Sequence, residues 1–83
     1  MQELNALYEA WVSMDERQLI VIEKGGQTLL KIDYDGISPR GLVNPRVEVT
    51  NYIIMKLFEQ MKSFIEKREK NKEESLFLMD LDV

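Results

Sequence analysis

The residues best suited to chemistry lie at two turns and in the tail. Asp80 and Asp82 follow the apolar run Leu76-Phe77-Leu78-Met79. Carboxylates are able to act as nucleophiles or as general acids and bases. Asp33-Tyr34-Asp35-Gly36 has the spacing that opens a calcium loop. The remaining oxygen ligands and a closing bidentate glutamate do not follow at the interval such a loop needs, so a turn after a strand accounts for it. Gly25-Gly26-Gln27 sets two conformationally permissive residues beside a side-chain amide. Ser13, Ser38, Ser63 and Ser75 offer hydroxyls, yet the chain has no histidine and no cysteine to activate them or to serve as a nucleophile. Thiolate and imidazole metal sites are excluded with those residues. The expectation is a chain that is not an enzyme, with no cofactor, no metal and no small-molecule substrate.

Several of these stretches resemble motifs of known families. Gly25-Gly26-Gln27 resembles the tripeptide with which peptide-release factors reach the ribosomal peptidyl-transferase centre. Here it sits at a hairpin tip with no basic surroundings, and the turn explains it. Phe77-Leu78-Met79-Asp80-Leu81-Asp82 resembles the strand-end motif of haloacid-dehalogenase-type phosphatases. That resemblance covers six residues and lacks the magnesium site the family builds further along, so it carries no function over. Glu74-Ser75-Leu76-Phe77 resembles the peptide by which bacterial proteins dock on the replication sliding clamp, without its leading glutamine. The acidic-apolar ending is also similar to the partner-recruiting tail of bacterial single-stranded-DNA-binding proteins.

The elements that would position these residues follow from periodicity. Leu4, Leu7, Tyr8, Trp11 and Val12 fall at i, i+3, i+4, i+7 and i+8, which predicts an amphipathic helix over 2–14 with Trp11 and Tyr8 in the core. Gln18–Ile22 and Thr28–Ile32 flank Gly25-Gly26 and predict a hairpin over 17–34 with a two-residue turn. That turn sets Val21 opposite Leu30 and Leu19 opposite Ile32, giving an inner face of Leu19, Val21, Leu30, Ile32 and Tyr34. The opposite face carries Ile20, Ile22 and Leu29 beside Lys31 and Asp33, where a wetted face would be polar throughout. Residues 35–45 are rich in turn formers and predict a loop.

A second helix is expected from Pro45 (capped by Asn44), or from a cap at Thr50, to about Lys70. Its core face would be Val47, Asn51, Ile54, Leu57, Phe58, Met61, Phe64, Ile65 and Arg68. Tyr52, Ile53 and Met55 widen its apolar sector beyond what a hairpin covers. After the charged stretch 67–74, Phe77, Met79, Leu81 and Val83 alternate and favour a strand. That strand would pair with the hairpin edge of its own or a neighbouring chain, or else serve as a docking peptide. The expected fold is α+β, a small α-β-β-α domain over 1–70 with a charged hinge and a C-terminal β-strand over 71–83. In element order it is similar to the head-to-tail joining proteins of certain tailed phages.

Composition sets the remaining bounds. The chain has 83 residues and a net charge of −4, with 45% hydrophobic and 31% charged residues, as in a folded domain. A chain this short buries only about 60% of its unfolded surface. A single core of this size commonly supplies no more than about 3–5 kcal/mol, and disulfides are excluded, so self-association is the expected supplement. Arg68, Lys70 and Lys72 are interleaved with Glu66, Glu69, Glu73 and Glu74, so no basic stripe for nucleic acid forms. No apolar run is long enough to span a membrane. Met1-Gln2-Glu3-Leu4 lacks the basic start of a secretory leader, and the expected location is cytoplasmic, the host cytoplasm if the chain is viral.

The functional expectation is therefore a homodimer that also binds an unidentified protein, a regulatory module of inhibitor or adaptor type, possible as a phage product. Its binding residues are expected to be Ile20, Ile22, Leu29, Tyr52, Ile53, Phe77 and Leu81. The alternative is a structural component of an assembly or a secretion-type chaperone.

Overall fold

The computed structural model describes residues 4–43, 45–68 and 75–81. The elements are α1 (Leu4–Leu7), β1 (Tyr8–Ser13), β2 (Gln18–Glu23), β3 (Thr28–Asp33), β4 (Gly36–Arg40), α2 (Asn51–Arg68) and β5 (Leu76–Met79). The strands form one antiparallel sheet in the order β4-β3-β2-β1-β5, with α2 packed on one face. The α+β class is as expected, but the sheet is larger than a hairpin plus one strand.

The main correction concerns the first helix. Only Leu4–Leu7 is helical, and Tyr8–Ser13 is a strand. Leu4, Leu7, Tyr8, Trp11 and Val12 satisfy a helical stripe, yet Tyr8, Ala10 and Val12 also alternate with Glu9, Trp11 and Ser13. Pairing decides between the two, because β1 is held by β2 on one side and β5 on the other. The reversal into β2 falls at Asp15-Glu16, where the Glu16 amide donates to the Ser13 hydroxyl oxygen at 3.2 Å. Arg17 leaves the turn with a positive φ of 53°.

The hairpin has the expected register, Val21 against Leu30 and Leu19 against Ile32, by an unexpected route. Its loop has three residues, since the Glu23 amide donates to the Gln27 carbonyl at 2.9 Å and the Gly26 amide to the Glu23 carbonyl at 2.8 Å. The extra residue is absorbed at a bulge, where Val21 pairs with Leu30 but Ile22 with Thr28. Leu29 is the residue left over. Its side chain is buried, 3% exposed, and not on the outer face where simple alternation puts it.

The expected loop 35–45 contains β4. A tight turn at Tyr34-Asp35 joins it to β3, and Pro39 is accommodated because β4 is an edge strand. The long helix starts at Asn51, one residue after the second of the two expected caps. Thr50 accepts from the Ile53 amide through Oγ1 at 3.3 Å. Ile54, Leu57, Met61 and Ile65 form the buried stripe of α2, while Asn51 is exposed and not part of it.

The core lies between that stripe and the inner sheet face of Ala10, Val12, Leu19, Val21, Leu30 and Ile32. The tail joins the same core. β5 pairs with β1, not with the hairpin, whose β2 edge β1 already occupies. Met79 and Leu81 are buried in the common cluster, and Val83 lies outside the described residues. Asn44 and the charged residues 69–74 also lie outside them.

Candidate protein-interaction surface

Cross-strand partners point to the same side of a sheet, so the register gives the composition of each face. The inner face is covered by α2. On the other face one row runs Leu78, Trp11, Ile20, Lys31 and Arg40 across all five strands. One row along lie Glu9 and Ile22, and on the other side Leu76, Ser13, Gln18 and Asp33. No helix among the described residues packs there. Trp11, Ile20 and Ile22 are half-buried by their neighbours, whereas Leu76 and Leu78 are 49% and 54% exposed. An antiparallel sheet with one wet face should be polar on that side. Here Leu78, Trp11, Ile20, Ile22 and Leu76 make an apolar patch on the β5-β1-β2 half, bounded by Glu9 on one side and by Ser13 and Gln18 on the other.

The β3-β4 half of this face is polar and hollowed. Gln18, Thr28, Lys31, Arg40 and Gly41 line a depression of about 550 Å³. Arg40 pairs with Asp33 at 2.8 Å, and Gln18 Nε2 donates to the same carboxylate at 3.1 Å. The Gln18 amide oxygen is buried and has no hydrogen-bond partner among the described residues. An apolar centre beside a polar rim is the anatomy of a protein interface.

The structure divides the seven expected binding residues. Ile20 and Ile22 are on the open face, as expected. Leu29 is buried by the bulge. Tyr52 is 67% exposed, and it lies with Ile53 on α2, the other side of the sheet. Ile53 packs against the core. Phe77 and Leu81 face inward: the Phe77 ring meets Phe64 edge-on at 5.8 Å, and Leu81 is buried. Trp11 was not expected on this surface, and of the tail, which was expected to contribute through Phe77 and Leu81, it is Leu76 and Leu78 that lie here. Trp11 was hidden by the helical stripe, since only the β1 register places it beside Ile20. Tyr8 is core as expected.

The polar clusters away from this face tie elements together. Tyr34 lies between the Arg17 guanidinium at 4.1 Å and the Lys62 ammonium at 5.0 Å from its ring centre. Its hydroxyl donates to Glu66 at 3.0 Å, which pins α2 to the hairpin. Arg46 pairs with Glu23 at 2.6 Å and its amide donates to the Tyr8 hydroxyl oxygen at 2.8 Å, fixing the approach to α2. Of the residues weighed for chemistry, Asp33 is engaged by Arg40 and Gln18, Asp80 is exposed, and Asp82 lies outside the described residues. Among the described residues there is no group of three or more acidic, His or Cys side chains able to hold a metal. No helix among them is long and apolar enough to cross a membrane.

Comparison of the chain with protein-family models, with curated proteins and with solved structures finds no match in any of the three.

Proposed function

We propose that this chain is a non-enzymatic protein-binding module of regulatory type, and that the open face of its sheet is a protein-binding surface. The observation that supports this reading is the apolar row Leu78–Trp11–Ile20, widened by Ile22 and Leu76, on a sheet face over which no helix packs among the described residues. Contiguous exposed apolar area of this kind marks interaction sites. Trp11 supplies the central aromatic anchor that such sites favour. The edge position of β5 places its two leucines at the rim, where a partner first makes contact.

Site-specific photo-crosslinking tests the reading. A photoreactive residue replaces Trp11 in one variant and Glu59, exposed on α2, in another, and both are activated in expressing cells. Protein adducts from position 11 in clear excess over position 59 are expected. Equal yields from the two positions, or none from position 11, contradict the proposal.

A further inference from the structure

We infer that the occupant of the open face is a second copy of this chain, packed sheet on sheet about a twofold axis running along the strands between β1 and β2. The inference rests on the reading of that face as a protein-binding surface and names its partner.

Size permits it. The axis lays the four strands β3, β2, β1 and β5 over those of the second copy, and strands spaced ~4.8 Å apart and rising ~3.3 Å per residue give that overlap a plan of roughly 19 by 20 Å. Two such faces amount to roughly 760 Å² of plan area, and the relief of the side chains on both raises the accessible surface buried toward the ~1,000 Å² a specific interface needs. Sheets pack face to face in this manner, with their strands about 30° apart.

Charge selects the axis. Lys31 lies on β3, while Glu9 lies on β1, and Asp80, exposed between buried Met79 and Leu81, follows β5. An axis along the strands sets β3 of one copy against β5 of the other. Lys31 then lies over Leu78 of the second copy, with that copy's Glu9 and Asp80 one row along. An axis across the strands would set Lys31 against Lys31, and like charges so opposed are unfavourable.

Shape agrees with the same axis. The half-exposed Leu76 and Leu78 come over the depression lined by Gln18, Thr28, Lys31 and Arg40. Trp11 meets Ile20 of the second copy at the centre, and the twofold repeats each contact.

Sedimentation equilibrium of the full chain tests this, with circular dichroism to verify the fold of each variant. Wild type is expected at twice the chain mass. Leu78→Lys alters a half-exposed side chain and sets a lysine against Lys31, so it is expected to sediment as a monomer. Lys31→Glu is expected to weaken the dimer about tenfold, and Lys31→Glu with Asp80→Lys to recover most of that loss. A dimer unmoved by Leu78→Lys and Lys31→Glu overturns the inference, and failure of the double change to recover overturns the axis. A wild-type monomer that still crosslinks another protein from position 11 overturns the second copy and leaves the binding-module reading standing. A monomer with no such adduct overturns both.

Discussion

Gly25 has a φ of +70°, and nothing lies within 4 Å of where a Cβ would be added. Space is not the constraint there; backbone conformation is. Gly25→Ala is expected to destabilise the fold by roughly 1–2 kcal/mol, the cost of an L side chain in the left-handed region. Urea unfolding would measure it, and an unchanged midpoint would contradict the turn as described. Gly26 differs, because an added Cβ would meet Glu23 Cβ, which the backbone holds in place, at 3.2 Å. At the other functional turn, Thr50→Ala removes the oxygen that caps the Ile53 amide. A loss of about 1 kcal/mol is expected by the same measurement. Individual residues were legible in the sequence where a local pattern determined them: Gly25 by the turn, Thr50 by its place before an apolar stripe. Leu29 was not, because a bulge depends on how a three-residue loop is reconciled with the strand register.

Among the elements, the hairpin and α2 were legible because one period dominates each. β1 was not, because residues 4–12 satisfy both the helical and the alternating pattern. The choice is made by partners distant in sequence, β2 and β5. β4 was missed for a different reason: Gly36, Ser38 and Pro39 are turn formers, tolerated on an edge strand. β5 was legible by its alternation, but its neighbour was not, since the neighbour is the strand taken for a helix. Half of the candidate surface followed the same course. Ile20 and Ile22 were identified on the hairpin's second face, while Trp11 became part of that surface only with β1. A strand at β5 also makes a prediction about stability. Met79 is buried beside β1, so Met79→Ala is expected to cost about 2–5 kcal/mol in thermal or urea unfolding. A tail that acted only as a free docking peptide would leave stability unchanged.

For the molecule as a whole, α2 covers one face of a five-stranded sheet, and among the described residues no helix covers the other. A domain of this size gains little from a single core, and a second layer over the open face would add one. Sheet-on-sheet association supplies that layer from a copy of the same chain. Trp11, the one tryptophan in the sequence, lies at the centre of the open face and reports directly on whether it is covered. The decisive measurement is acrylamide quenching of Trp11 fluorescence across a dilution series of the full chain. The account predicts weak quenching and blue-shifted emission at high concentration, giving way on dilution to strong quenching and red-shifted emission. Quenching and emission that stay the same at every concentration, with the chain monomeric throughout, would contradict the covering of this face by a second copy.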